Sequence, residues 1–254
     1  MISIGLDGRL GNHMFQYALC RVVAEKNGFD YCIPNQKPNK GNSVKNGWLG
    51  QNIFDCSLGL PYHRQKGLFV EKKQTYSSSV FDVGDGTHLE GWWQSEKYFE
   101  GWEDEIREWF RLDKPNSEYI NEDYCVIHYR AQDGYLRERY TPKDEFFIKA
   151  KKQILDFKNT IKFVIITDNV PLAKQKFKGD IVISNDIKTD FTTIQYSKYK
   201  IISNSSFSWW AAWLGSNESE MIIAPDRWMN HNHNKSKDNL FYPYDIKSKY
   251  FKYI

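Results

Sequence analysis

Residues 199–214 read YKIISNSSFSWWAAWL, and this stretch decides how the fold is interpreted. An apolar run at residues 199–202 is followed by four small polar side chains at residues 203–206, and then by an aliphatic and aromatic segment at residues 207–214. This order predicts a strand, a polar turn and a buried helix. Ser and Asn favour helix N-caps, and the N–H groups of a helix start bind anions. These residues alone therefore leave two interpretations open, a capped core helix or a site for a phosphate-bearing ligand.

The amino terminus repeats the pattern of a strand, a turn and a helix. Residues 2–6 predict a strand, and residues 7–12 form a Gly-rich turn in which a backbone can approach a ligand closely. From His13 onwards apolar pairs recur every four residues, with Asn12 as the predicted N-cap and Gly28 as the predicted stop. This is a Rossmann-type beginning, although it lacks the GxGxxG spacing of a dinucleotide site.

The second half of the chain has a regular alternation of strands and helices. The predicted strands are residues 125–129, 162–167, 181–184, 199–202 and 221–224, and residues 141–144 predict a helix start. Such alternation indicates an α/β fold with parallel sheets. Residues 97–110 have the spacing of a single helix, and the polar residues 112–123 are the best linker candidate. We therefore predict two Rossmann-like domains, residues 1–115 and residues 116–254.

Composition excludes several classes of protein. The 254 residues carry a formal net charge of +3 and are 41% hydrophobic, so nucleic acid is disfavoured as a partner. The four cysteines form no CxxC pair, and no apolar run approaches the roughly 20 residues of a membrane span. Because the first residues also lack a signal-peptide pattern, we expect a cytoplasmic protein that is soluble or at most peripherally bound to a membrane.

Polar side chains follow several of the predicted strands. Arg130 comes after the strand at residues 125–129 and can hold a phosphate with two parallel hydrogen bonds, while Asp133 can serve as a base or hold that arginine. Asp168 follows the next strand, and Asp190 precedes the strand at residues 199–202. Each of these acidic residues can equally be an ordinary N-cap or a member of a surface ion pair.

A metal site is not expected. No Asp-x-Asp pair stands where it could hold a divalent cation, and His231 and His233 lie in a polar run without a nearby cysteine or acidic cluster.

Four segments together resemble glycosyltransferase family 11, the α-1,2-fucosyltransferases. They are residues 8–18 (GRLGNHMFQYA), residues 91–99 (GWWQSEKYF), residues 203–214 (SNSSFSWWAAWL) and residues 224–228 (APDRW). They occur in family order. The resemblance implies a GT-B fold, with two facing Rossmann-like domains, the first mainly for the acceptor and the second for the GDP-sugar, and an active site in the cleft between them. It further implies inverting, metal-independent transfer of L-fucose from GDP-β-L-fucose to the 2-hydroxyl of a glycan acceptor, a β-galactoside, with no cofactor.

The resemblance also implies roles for particular residues. Catalytic roles fall to Asp133 as the general base, with Asp168 and Glu96 as rivals, to Arg130 on the β-phosphate, and to Asn12 near the fucose or the acceptor oxygen. The implied donor-binding residues, including Asp190 on the guanine base and His128 on the guanine or ribose, are His128, Arg130, Asp168, Asp190, Ser205, Ser206, Phe207, Gly11 and Asn12.

One motif departs from the family pattern. Where the family usually has His-x-Arg-Arg-Gly-Asp-Tyr, residues 128–134 read HYRAQDG, so Ala131 replaces the second Arg and Gln132 replaces the Gly. Two alternatives therefore stay open beside the fucosyltransferase, a related GDP-deoxysugar transferase with another donor or linkage, and a catalytically degenerate module that binds GDP or glycan. For the acceptor side, Trp48, Trp92, Trp93 and Tyr98 are either flat faces for a sugar or packing residues.

Overall fold

The computed structural model describes residues 1–34, 47–63, 65–132, 140–228 and 243–254. The chain folds as two compact units, Met1–Arg111 with Ser236–Lys247, and Leu112–Lys235 with Ser248–Ile254. Each unit contains one parallel sheet, so the predicted α/β class is confirmed.

The regular elements within the described residues are six α-helices, ten strands and three 3-10 helices. The helices are α1 Leu10–Asn27, α2 Glu103–Trp109, α3 Asp144–Phe157, α4 Val170–Lys176, α5 Ile187–Tyr196 and α6 Ser206–Leu214. The strands are β1 Ile2–Ile4, β2 Tyr31–Cys32, β3 Gly67–Val70, β4 Thr87–Glu90, β5 Tyr124–Tyr129, β6 Lys162–Thr167, β7 Ile181–Ile183, β8 Tyr199–Ile201, β9 Met221–Ala224 and β10 Lys252–Tyr253. Single turns of 3-10 helix are Ser78–Asp82, Glu96–Phe99 and Ser216–Glu218.

The sheet of the first unit has the order β2-β1-β4-β3, and every neighbouring pair is parallel. Helix α1 connects β1 to β2, and it ends at Gly28, whose φ of 66° is the left-handed conformation typical of a helix stop. The predicted N-cap is wrong. The helix begins at Leu10, with Arg9 as N-cap, so Asn12 lies inside its first turn. The reason is that the Asn12 side chain is engaged elsewhere, since its Oδ1 accepts a hydrogen bond from Gln94.

The sheet of the second unit has the order β7-β6-β5-β8-β9-β10, and it is also parallel throughout. Counted from β5, this is the order 3-2-1-4-5-6 of a dinucleotide-binding sheet. Strands β5 and β8 lie side by side at the centre, and the chain leaves them in opposite directions. Such a switch point opens a crevice at the carboxyl ends of the two strands, where ligands bind.

Two helix predictions differ from the structure. The segment 97–110 is not one helix, because Gly101 adopts a φ of 81° and separates the 3-10 turn Glu96–Phe99 from α2. Helix α3 begins later than expected, with Lys143 as N-cap. The hydroxyl of Thr141, the first residue of the predicted helix start, forms no cap and donates instead to the carbonyl of Arg130 at 2.7 Å.

A fully buried lysine joins the two helices that follow β7 and β8. Lys200 Nζ donates to the carbonyl oxygens of Gln195 at 2.7 Å and Gly215 at 3.1 Å, near the carboxyl ends of α5 and α6. Burial lowers the pKa of Lys200 to about 7. These bonds fix the far ends of the helices whose amino ends face the switch point.

Candidate active site

The switch point of the second sheet is bridged by a buried hydrogen bond. His128 Nδ1, near the end of β5, lies 3.0 Å from Ser203 Oγ, which follows β8. Burial, and next the charge of Arg130, lower the pKa of His128 to about 3. The imidazole is therefore neutral at physiological pH, so it can form hydrogen bonds but carries no positive charge for a phosphate.

Arg130 is held at this edge by a carboxylate. Its guanidinium forms an ion pair with Asp168 Oδ2, and the two side chains are only 15% and 18% exposed. A second nitrogen donates to Gln132 Oε1 at 3.1 Å. Asp168 Oδ1 in turn accepts the Ala131 N–H at 2.8 Å, so the carboxylate fixes both the loop and the cation. Because these bonds restrict the guanidinium, it is oriented before any ligand arrives.

The departure from the family motif has a structural counterpart. The Ala131 side chain is fully buried in the core that contains Tyr129 and Phe147, and its carbonyl accepts from Asn169 at 3.3 Å. An arginine at this position would have to displace that packing. Gln132, which stands where the family has Gly, adds the contact with Arg130.

The residues after β8 surround the start of α6. Ser205 is the N-cap by position, but its side chain forms no cap hydrogen bond, and Ser206 is the first residue of the helix. Next to them, Asn204 Nδ2 donates to the Tyr140 carbonyl, while Asn204 Oδ1 is buried without a partner in the described chain. Phe207 extends toward β5, with its ring 5.7 Å from that of His128.

Asp190 lies in the first turn of α5 and is 9% exposed. Both carboxylate oxygens accept from the Asn185 N–H, at 3.1 and 3.3 Å, and Oδ1 also accepts from the Asn185 side chain at 3.1 Å. Burial raises the pKa of Asp190 to about 6 although these bonds oppose the shift. The next residue, Phe191, packs its ring against Phe207 at 5.3 Å, which connects this turn to the start of α6.

The first sheet has a comparable switch point between its central strands β1 and β4. Asn12 Oδ1 accepts from Gln94 Nε2 at 2.8 Å, and Gln16 Nε2 donates to the Gly91 carbonyl at 2.9 Å. Gly8 has a φ of 85°, and a Cβ there would lie 2.2 Å from Asn12 Nδ2. Gly11 is buried in the same turn of α1. The predicted site residues thus fall in both units. Gly11, Asn12 and the rival base Glu96 are in the first unit, and the other predicted site residues that the structure describes are in the second.

Sequence reasoning missed four residues that hold these sites together: Glu71, Gln94, Thr141 and Asn185. Gln94 lay inside a recognised motif, and its partner Asn12 is 82 positions away. Glu71 directly follows β3, and its position after a short apolar run was the available signal.

The aromatic residues expected on the acceptor side are mostly packing residues. Trp48, Trp93 and Tyr98 are at most 2% exposed, whereas Trp92 is half-buried. Glu96, a rival for the base, begins the 3-10 turn Glu96–Phe99.

Some predicted residues lie outside the described part of the chain, namely Asp133, His231 and His233. Among the described residues, no group of three or more His, Cys, Asp or Glu side chains is arranged to hold a metal ion. The same residues include no helix that is both long and apolar enough to cross a membrane.

Comparison with known proteins assigns the family. The model of glycosyl transferase family 11 matches residues 1–244. The chain belongs to this family. It is therefore a glycosyltransferase, as the four sequence segments predicted.

Two relatives from Escherichia coli match nearly the whole chain. An alpha-1,2-colitosyltransferase is 31% identical over 269 residues, which cover 88% of this chain and 90% of the relative. The O-antigen biosynthesis glycosyltransferase WbnK is 29% identical over 295 residues, which cover 91% of this chain and 96% of the relative.

The fold is similar to that of a solved fucosyltransferase. The crystal structure of POFUT1 in complex with GDP aligns with a TM-score of 0.50 at 9% sequence identity, covering 86% of this chain and 95% of that chain. At this identity the likeness concerns the fold alone, and it confirms the GT-B class predicted from the sequence.

Proposed function

We propose that this glycosyltransferase transfers L-fucose from GDP-β-L-fucose to the 2-hydroxyl of a β-galactoside glycan, with inversion at the anomeric carbon and without a metal ion. The observation that carries the proposal is the His128–Ser203 hydrogen bond at the switch point of the second sheet, which joins the end of β5, two residues before Arg130, to the 203–206 turn. A cation and a helix start at such a crevice suit a nucleoside diphosphate.

Arg130 is the proposed clamp on the leaving group. A guanidinium has five N–H donors, so it can remain paired with Asp168 while it donates to the β-phosphate. As the bond from the sugar to the β-phosphate breaks, negative charge grows on the phosphate oxygen, and a fixed cation stabilises that charge. Ser205 and Ser206 approach the phosphates with hydroxyls and with the N–H groups of the α6 start.

Asp190 is the proposed acceptor for the guanine base. An ionised carboxylate accepts the N1–H and N2–H pair of guanine, and the burial of Asp190 strengthens bonds to that carboxylate. The Asn185 contacts hold it in place before the ligand binds. The neutral His128 lines the same crevice beside Phe207.

Colitose is a second candidate for the donor sugar, because a relative that shares 31% identity is named for colitosyl transfer. Colitose is L-fucose without the 3-hydroxyl group, so GDP and most sugar contacts would be the same. A site that hydrogen-bonds a hydroxyl rejects an analogue that lacks it by about 10⁴-fold, whereas an apolar pocket discriminates far less.

The test is a donor panel with the purified chain. GDP-L-fucose and GDP-colitose are each supplied with a β-galactoside such as lactose, GDP release is followed, and products are analysed by mass spectrometry and linkage NMR. We expect a 2-linked fucoside with inverted configuration and a higher kcat/KM for GDP-L-fucose. A higher kcat/KM for GDP-colitose than for GDP-L-fucose would identify GDP-colitose as the donor instead. GDP binding without turnover of either donor on β-galactosides or O-antigen oligosaccharides would identify a degenerate binding module.

A further inference from the structure

Glu71 occupies the carboxyl edge of the first sheet. It directly follows β3, and its backbone N–H donates to the Glu90 carbonyl at 2.8 Å, at the end of the neighbouring strand. Its side-chain Oε2 accepts two backbone N–H groups, from Trp92 at 2.7 Å and from Trp93 at 3.3 Å. The carboxylate is therefore fixed beside the segment that carries Gln94.

Trp92 connects this carboxylate to the cluster around Asn12. A Cβ built at Gly8 would meet Trp92 Cζ3 at 3.0 Å and Asn12 Nδ2 at 2.2 Å, so the Trp92 ring and the Asn12 amide flank the same glycine. The Trp92 backbone, in turn, binds Glu71. The carboxyl edge of the first sheet thus carries one fixed carboxylate, and Trp92 links it to the paired amides of Asn12 and Gln94.

The surroundings of Glu71 give it the acidity of a base that works near neutral pH. Burial raises the pKa of Glu71 to about 7, although the N–H groups of Trp92 and Trp93 act in the opposite direction. Burial raises the pKa of the Tyr98 phenol, and the negative charge of Glu71 adds to that shift. A general base is most effective when its pKa lies near the working pH.

A purely structural role for Glu71 would leave part of this arrangement unexplained. The carboxylate supports the turn in which Trp93 adopts a φ of 56°, an uncommon conformation for a residue with a side chain. An uncharged amide could accept the same two N–H groups, however, and it would avoid the cost of burying a charge. The rival Asp168 is already engaged, since it is ion-paired with Arg130 and accepts the Ala131 N–H.

We infer that Glu71 is the general base for the acceptor hydroxyl, an inference that rests on the proposed sugar transfer. The acceptor O–H gives its proton to the Glu71 carboxylate while its oxygen bonds to the anomeric carbon. The bond from that carbon to the β-phosphate oxygen breaks at the same time, and its electron pair leaves with GDP. Asn12 and Gln94 position the acceptor beside the carboxylate.

Glu71→Gln separates the two roles of the carboxylate, because the amide oxygen can still accept from Trp92 and Trp93 but cannot take a proton. We expect kcat to fall by about 10²-fold or more, with GDP affinity measured by calorimetry and the melting temperature close to wild type. Glu71→Asp should recover part of the activity. Glu90→Gln, at the end of the adjacent strand β4, is the matched control, and it should keep wild-type kcat.

The pH profile provides the readout that a structural role would not change. The base works when it is deprotonated, so wild-type kcat/KM for the acceptor, measured at saturating donor, should rise with pH through about 7 and then level off, and this limb should be absent in Glu71→Gln. A Glu71→Gln variant with kcat within threefold of wild type and an unchanged acidic limb would overturn the inference while leaving the transfer reaction intact. A wild-type chain that transfers neither sugar would instead overturn the proposed function, and the role of Glu71 with it.

Discussion

The carboxyl edges of the two sheets occupy equivalent places in their units but present different chemistry. At the second edge, Arg130 is paired with Asp168 and stands beside the start of α6. At the first edge, the amides of Asn12 and Gln94 pair with each other, and Glu71 accepts two backbone N–H groups. The second edge suits an anionic phosphate, whereas the first suits a neutral sugar that must lose a proton.

The two buried carboxylates sharpen this contrast. Burial raises the pKa of Asp190 to about 6 and that of Glu71 to about 7. Both oxygens of Asp190 are bonded to Asn185, while Glu71 accepts through Oε2 alone among the contacts described. Similar burial therefore gives one carboxylate suited to accepting hydrogen bonds and another suited to accepting a proton.

Loss of Arg130 should reduce activity the most. In Arg130→Ala, kcat/KM should fall by about 10³-fold, because the β-phosphate loses its cation and the half-buried Asp168 remains as an uncompensated negative charge. Initial rates of GDP release measure this loss. Arg130→Lys keeps the positive charge but loses the bidentate donor geometry of the guanidinium. Its kcat/KM should lie between those of the wild type and of Arg130→Ala. A kcat/KM for Arg130→Ala within tenfold of wild type would exclude Arg130 as the group that holds the β-phosphate.

Asp190 tests whether the second edge recognises guanine. In Asp190→Asn, the Kd for GDP should rise about 10- to 100-fold, as expected when a charge-assisted hydrogen-bonded pair is lost. For the wild type, affinity should fall as pH falls through about 6, because the protonated carboxyl loses an acceptor, and this dependence should disappear in the variant.

Asp186→Asn is the control for this measurement. Asp186 caps the same helix through Lys188 and Thr189 N–H groups and is exposed. The control should lower stability slightly and leave GDP affinity at pH 7 unchanged. Equal calorimetric Kd values for Asp190→Asn and wild type would exclude the guanine role.

Alanine variants of two glycines, Gly8 and Gly101, test the first edge, and their effects on activity should be the smallest. Gly8 and Gly101 have φ angles of 85° and 81°, but only a Cβ at Gly8 meets a neighbour within 4 Å. Both alanine variants should lose about 1 kcal/mol of stability from the left-handed backbone, which thermal unfolding measures. Gly8→Ala should also lower kcat/KM for the acceptor on the order of tenfold, since it displaces Asn12, and GDP affinity should be unchanged. If the two variants have the same kcat/KM for the acceptor, Asn12 has no role in acceptor binding.

The sequence predicted five of the six strands of the second unit, β5 to β9, because these runs are apolar and bounded by polar turns, whereas the two-residue strand β10 was missed. Strands β6 and β9 have the predicted bounds. The first unit was harder to predict. Strand β3 has only four residues, three of them exposed, so no periodic pattern identified it, and Glu71 after it was missed. The helix at residues 97–110 was wrong because the left-handed Gly101 interrupts an otherwise regular spacing.

The sequence by itself determined the fold class, the family and most residues at the edge of the second sheet. These features follow from local hydrophobic patterns and short motifs, in which the informative residues are close together in the sequence. Only the tertiary structure decided the partners, such as His128 with Ser203 across 75 positions, or Arg130 with Asp168. It also decided which carboxylates have raised pKa values, because strand order selects the residues that meet, and desolvation depends on everything packed around a group.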